Sequence, residues 1–135
     1  MTFSDIVDNV NAAATTVGLP ALFGDTATQN VYSNQVTGMY FAFDVSSAFN
    51  PLSGVSVLQP SYTVTVRCLD TSYYLRDAAL EIDCLIRTDL ALQRFVTIFA
   101  CRLNVTRVNI VKVQNEYNSI KSGWQATFEI ASETL

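Results

Sequence analysis

Apolar residues recur with helical spacing along residues 72–99. Leu, Ile, Ala, Val and Phe return at intervals of three, four and seven positions, and charged side chains mostly fall between them. This period places the apolar residues on one stripe of an α-helix. Side-chain oxygens at residues 70–72 can cap its first turn, and no Pro or Gly interrupts the run. We predict one long helix from Ser72, ending between Arg94 and Phe99.

Four shorter runs, residues 39–45, 62–69, 103–113 and 123–131, have the character of β-strands. Apolar and polar side chains alternate in the second and last runs, which puts their apolar residues on one face of a sheet. In the first run the side chains that point to either face are mostly apolar. We therefore expect this strand to be covered on both faces. The predicted core joins the long helix to two strands through Ile82, Ile86, Phe95, Val64, Val66, Trp124 and Phe128.

A shorter helix is predicted before the strands. Ser4 is placed to cap it, and Gly18 and Pro20 end it. Residues 24–35 are polar and are expected to form a loop. The predicted order is therefore α-β-β-α-β-β.

This order predicts one α+β domain spanning residues 1–135. Two antiparallel strand pairs, the second a β-hairpin at residues 103–131, would form a four-stranded, mainly antiparallel sheet with both helices packed on one face. No sequence remains to cover the opposite face of the sheet. We expect the surplus hydrophobic residues to be used there.

Residues 46–60 are predicted to form a long loop between two antiparallel strands. Three breakers, Pro51, Gly54 and Pro60, lie among Ser and Asn residues. Two interpretations are open: an extension folded back on its own sheet, or an arm that contacts a partner. We favour the arm, because an exposed loop does not ordinarily need apolar side chains. The expected partner interface is Phe49, Leu52, Val55 and Leu58.

Composition indicates a soluble domain with little surface charge. Half of the residues are hydrophobic and 15% are charged, against about a quarter in an average domain. Either the core is large or other subunits cover part of the surface. The net charge of −4 and the scattered Lys and Arg residues argue against a nucleic-acid groove. No signal peptide or membrane span is expected, which indicates a protein kept in the cytoplasm where it is made.

The sequence offers little material for catalysis. It contains no His, which removes the commonest general base and most zinc sites. The closest acids, Asp77, Glu81 and Asp83, are expected to form a solvated polar stripe on the long helix. We therefore predict no enzyme, no cofactor and no metal. The three cysteines are expected to be reduced, buried thiols: Cys68, Cys84 and Cys101.

The order of elements resembles that of the tail-terminator, tail-completion and neck-ring proteins of tailed bacteriophages. The resemblance rests on a short first helix, a polar loop, the strands MYFAFDV and SYTVTVRCLD, a long amphipathic helix, and a final hairpin ending in GWQATFEI. It spans nearly the whole chain. It is a match of element order, size and character.

The resemblance implies a structural virion protein that forms a homomeric ring at the head–tail junction. Such a ring surrounds the DNA passage without binding DNA specifically, and it contacts the head–tail connector on one side and tail proteins on the other. The protein would be made in the host bacterial cytoplasm and end in the neck or tail of the virion. The alternative is a small cytoplasmic binding module that receives a peptide or protein partner on its open sheet face.

Overall fold

The structure, a computed structural model, describes residues 2–25, 28–29, 35–50, 59–116 and 120–131. Two long helices and five strands make up most of this part of the chain. In chain order they are α1 (Phe3–Val17), β1 (Ala21–Phe23), β2 (Tyr40–Asn50), β3 (Gln59–Thr71), α2 (Ala78–Arg102), β4 (Val105–Glu116) and β5 (Lys121–Ala131).

The strands form one mixed sheet in the order β1-β2-β3-β5-β4. The predicted α+β class is confirmed, but the sheet has five strands instead of four. The additional strand, β1, pairs in parallel with β2, with Ala21 opposite Phe41 and Phe23 opposite Phe43. Three residues are too few to show an alternating pattern, so β1 could not be recognised from its sequence.

Strands β2 and β3 extend into the segment predicted to be a loop. Their antiparallel ladder continues to the pair Asn50–Gln59, so the prediction of a loop throughout residues 46–60 is wrong at both ends. Ser and Asn are poor strand formers by themselves, but a partner strand stabilises them in a ladder. Residues 51–58 lie outside the described part of the chain.

Helix α1 begins two residues earlier than a cap at Ser4 would allow. Its N-cap is Thr2, whose hydroxyl accepts a hydrogen bond from the Asp5 N–H at 3.2 Å. The Asp5 carboxylate accepts in return from the Thr2 N–H at 2.8 Å, which completes a capping box. Gly18 closes the helix with φ +92°, a left-handed conformation that favours glycine.

Helix α2 begins and ends later than predicted. Its N-cap is Asp77, which accepts a hydrogen bond from the Leu80 N–H at 3.1 Å. Leu75, with φ +62°, lies in a turn that separates β3 from the helix. The helix continues through Phe99 because that ring packs in the core, with its centroid 4.9 Å from the ring of Phe128.

The main core lies between the two helices and one face of the sheet. Val64, Val66, Phe95 and Phe128 are fully buried there, as predicted, and Trp124 packs against them partly buried. The rest of this core includes Ile6, Val10, Phe41, Phe43, Cys68, Leu92, Phe99, Ala126 and Ile130. A smaller cluster on the other face confirms that β2 is covered on both sides: Tyr40, Ala42 and Leu69.

Candidate functional site

Most of the predicted partner interface lies outside the residues that the structure describes: Leu52, Val55 and Leu58. The backbone of Phe49 belongs to β2, where it pairs with Pro60. The proposal that this segment is a partner-contacting arm stays a prediction.

The outer side of α2 carries apolar residues that the core does not use. Ile82, Ile86 and Leu90 are 58%, 54% and 56% exposed. The prediction that Ile82 and Ile86 belong to the core is therefore wrong. Residues four apart lie on one side of a helix, so these three form a continuous apolar stripe on the solvent side. We call it the outer stripe.

The wrong assignment arose because α2 has two apolar stripes. The buried one is interrupted by polar residues and consists of Glu81, Cys84, Thr88, Ala91, Leu92, Phe95 and Phe99. Treating every apolar residue as part of one stripe merged the two. Residues 82, 86 and 90 are regularly spaced, and they are offset from residues 95 and 99 by about a quarter of a helical turn or more. This offset is the signal that could have separated the two stripes.

Strand β4 is the second place where apolar side chains reach the surface. It lies at the end of the strand order with β5 as its neighbour. Val108, Ile110 and Val111 are all about 40% exposed. Successive strand residues point to opposite faces, so β4 presents apolar groups on both sides. An edge strand with such side chains is suited to pairing with another chain.

The sheet face opposite the helices is mainly polar. On β3 and β5 it carries Thr63, Thr65, Arg67, Gln125 and Thr127, and the Arg67 Nε–H donates to Gln125 Oε1 at 2.8 Å. Leu69 of β3 is buried on this face, but at these five positions the expectation that surplus hydrophobic residues are used there is wrong. They lie instead on the outer stripe and on β4.

A groove of about 740 Å³ extends the apolar surface of α2 toward α1. Its lining includes Val17, Leu19, Leu90 and Ile98, together with two cations, Arg87 and Arg94. Arg87 is already engaged: it donates to Asp70 at 2.6 Å and to Asp83 at 2.8 Å. These hydrogen bonds raise the pKa of Arg87. The groove is thus an apolar depression beside a fixed positive charge, without a group suited to acid–base chemistry.

Glu81 is the one buried acid on α2, which contradicts the predicted solvated stripe of Asp77, Glu81 and Asp83. Its carboxylate accepts hydrogen bonds from the Tyr73 N–H at 2.8 Å and from Gln114 Nε2 at 2.9 Å. Burial by itself would raise the pKa of Glu81, but these bonds and those from serine hydroxyls outweigh it, so the pKa is lowered. Glu81 therefore joins the turn before α2 to the β4–β5 hairpin and serves the fold.

The cysteines are not placed to act as ligands or nucleophiles together. All three are unpaired; Cys68 and Cys84 are buried, whereas Cys101 is exposed, so its predicted burial is wrong. Burial raises the pKa of Cys84 to about 11, with Asp70 and Glu81 adding to the effect. Within the described ranges, no three His, Cys, Asp or Glu side chains are grouped so as to hold a metal ion.

Two further findings concern the chain as a whole. None of the helices in the described part is long and apolar enough to cross a membrane. In comparisons with known proteins, no family model and no curated protein matches this sequence.

Proposed function

We propose that the chain is a structural assembly subunit without catalytic activity, forming a homomeric ring at the head–tail junction of a tailed bacteriophage. The observation that carries this proposal is the exposure of Ile82, Ile86 and Leu90 on one helix and of Val108 and Ile110 on an edge strand. Large exposed apolar patches mark contact surfaces in soluble proteins. The resemblance in element order discussed above supports a place for that assembly in a virion.

The polar residues support an assembly role over an enzymatic one. The buried carboxylate Glu81 is committed to hydrogen bonds within the fold, and Arg87 is held by two aspartates. A catalytic acid or base needs access to a substrate and a pKa near the working pH. Neither group meets these conditions.

The alternative is a binding module that uses the open sheet face. The face opposite the helices is polar across β3 and β5, with Thr63, Thr65, Gln125 and Thr127. The centre of a protein contact surface is more apolar than the rest of the surface. Most of the exposed apolar residues of α2 and β4 lie on the helix side instead, which favours assembly over this alternative.

The mass of the protein in solution tests this proposal. We expect one defined oligomer by native mass spectrometry and sedimentation between micromolar and millimolar concentration. Ile86→Lys should weaken it, because a charge on the outer stripe opposes burial against a neighbour. Tyr74→Lys replaces an exposed aromatic side chain in the turn before α2, outside the outer stripe; it is the matched control and should assemble normally. A wild-type protein that stays monomeric throughout this range would contradict the proposal.

A further inference from the structure

Charged residues are divided unevenly along the chain. All eight Lys and Arg residues follow Val66, and eight of the twelve acidic residues follow it too, so the net charge of −4 belongs to residues 1–66. That part contains four acids and no cation: Asp5, Asp8, Asp25 and Asp44. Residues 90–115 show the reverse, with four cations and no acid: Arg94, Arg102, Arg107 and Lys112.

The strand order places Asp44 on β2 and the cations Arg107 and Lys112 on β4 toward opposite ends of the sheet, whereas Arg102 of α2 donates a hydrogen bond to Asn9 of α1 at 2.7 Å. One end is formed by α1, β1 and β2, and we call it the acidic end. The other is formed by residues 107–112 of β4, which we call the basic edge. Asp5, Asp8 and Asp44 of the acidic end are exposed, as is Asp25 after β1, and so are Arg107 and Lys112.

The basic edge presents different groups on its two faces. Paired residues on neighbouring strands share a face, and Val108, Ile110 and Lys112 pair with Phe128, Ala126 and Trp124 of the core. Those three therefore lie on the helix side of the sheet. Residues 107, 109 and 111 lie on the opposite side, where Arg107 supplies a positive charge and pairs with Glu129 of β5.

The acidic end matches this arrangement on both faces. On the helix side, Phe3 and Phe23 are each nearly half exposed, with ring centroids 5.9 Å apart, and α1 adds Asp8. On the other side lies Asp44, next along β2 from Phe43, the partner of Phe23. Each face thus offers an acid at one end of the molecule and a cation at the other, and the helix side adds apolar groups at both ends.

A contact between two basic edges is disfavoured by the same charges. An antiparallel pairing of two copies of β4 keeps paired residues on one face, so Arg107 or Lys112 meets its own copy when the pairing is centred on that residue. Like charges directly opposite each other destabilise a strand pair. A contact between unlike ends of two copies avoids this repulsion.

We propose that the basic edge of one copy docks against the acidic end of the next. The inference rests on the proposed ring and names the surface that joins its subunits. A head-to-tail contact of this kind repeats from copy to copy and closes into a ring when the rotation between copies allows it. Complementary charges favour this pairing over pairings of like ends and raise the association rate of the copies.

Charge reversal at each end, followed by mixing, tests the contact. The first variant carries Arg107→Glu and Lys112→Glu; the second carries Asp8→Lys and Asp44→Lys. Each variant alone should self-associate about tenfold or more weakly than wild type, because like charges then meet at every contact. An equimolar mixture should recover association, since the reversed edge of one variant complements the reversed end of the other. Arg76→Glu is the control: it reverses one charge in the turn before α2, outside both ends. This variant should assemble as the wild type does.

The possible outcomes separate this inference from the proposed ring. If the wild type forms rings but the variants assemble normally, the proposed interface is wrong and the proposed ring is unaffected. The same holds if the mixture of variants does not recover association. A monomeric wild type would overturn both. Circular dichroism and thermal melting establish that each variant is folded. The salt dependence of wild-type assembly is a further test that needs no variant. Higher salt should weaken assembly because it screens the charges. Assembly that does not depend on salt would contradict the proposed contact.

Discussion

At the level of single residues, Glu81 shows how a charge is tolerated where a helix packs on a sheet. It is 5% exposed, yet its oxygens accept hydrogen bonds from the Tyr73 N–H and from Gln114. Hydrogen bonds to the ionised form favour that form. The sequence alone could not reveal this, because Glu81 has the same local context as the exposed Asp83.

The lowered pKa of Glu81 predicts a defined loss of stability in acid. The folded-state pKa lies below the ordinary value of 4.5, so this carboxylate stabilises the fold above about pH 4.5 and the contribution is lost as pH falls through the folded pKa. We expect Glu81→Gln to be less stable than wild type at neutral pH and to lose less stability on acidification. Urea midpoints between pH 7 and pH 3, near the usual range of carboxyl titration, measure this. Parallel pH curves for the two proteins would contradict it.

The two stripes of α2 predict opposite results for similar truncations. Leu92 is fully buried, so Leu92→Ala should lower the free energy of unfolding by about 2–5 kcal/mol. Ile82 is exposed, so Ile82→Ala should change it by about 0.5 kcal/mol or less. Chemical denaturation of the two variants under conditions where the protein is monomeric makes the comparison. A large loss of unfolding free energy in Ile82→Ala would instead support the prediction from the sequence, in which Ile82 belongs to the core.

At the level of elements, alternation was a reliable guide to the strands. The inward residues of β3 and β5 follow directly from it, because one face of each strand packs on the helices. What alternation could not supply was the end of an element. Helix α2 runs past Phe99 because tertiary packing stabilises a segment of low helix propensity, and β2 runs to Asn50 because β3 pairs with it.

The segment between β2 and β3 gives a prediction at this level. The ladder ends at the pair Asn50–Gln59, which a two-residue Asn-Gly turn can connect. Replacing residues 51–58 by that turn should leave the melting temperature within a few degrees, because closure entropy changes slowly with loop length. If Leu52, Val55 and Leu58 contact a partner, the same change should abolish ring formation or incorporation into particles.

Thermal melting and native mass spectrometry of the shortened protein decide between the two interpretations of this segment. A folded protein that no longer assembles supports the arm. Unfolding of the shortened protein would mean that its apolar residues belong to the core of the subunit. The prediction that this segment is the partner interface would then be withdrawn.

At the level of the whole molecule, the low charge and high hydrophobicity of the sequence correctly indicated more apolar residues than the core buries. Their location could not be predicted, because it depends on which helix stripe packs inward and which strand lies at the edge. The five-strand order places β4 at the edge, and the packing of Phe95 and Phe99 turns Ile82, Ile86 and Leu90 outward. The spacing of residues 82, 86 and 90 separates the two stripes of α2, but which stripe packs inward and which strand lies at the edge are decided by tertiary packing.

The chain-wide division of charge, by contrast, is visible in the sequence. Its meaning depends on the fold, since only the strand order shows that β1 and β2 lie at one end of the sheet and β4 at the other. A directional contact between copies follows from this arrangement. The direction of that contact distinguishes a ring from a twofold dimer.

Electron microscopy of the purified wild-type protein tests the central claim most directly. We expect closed rings of a single size with an open centre, in agreement with the solution mass. Monomers at every concentration, or twofold dimers as the final state, would contradict the account of this chain as a ring-forming subunit.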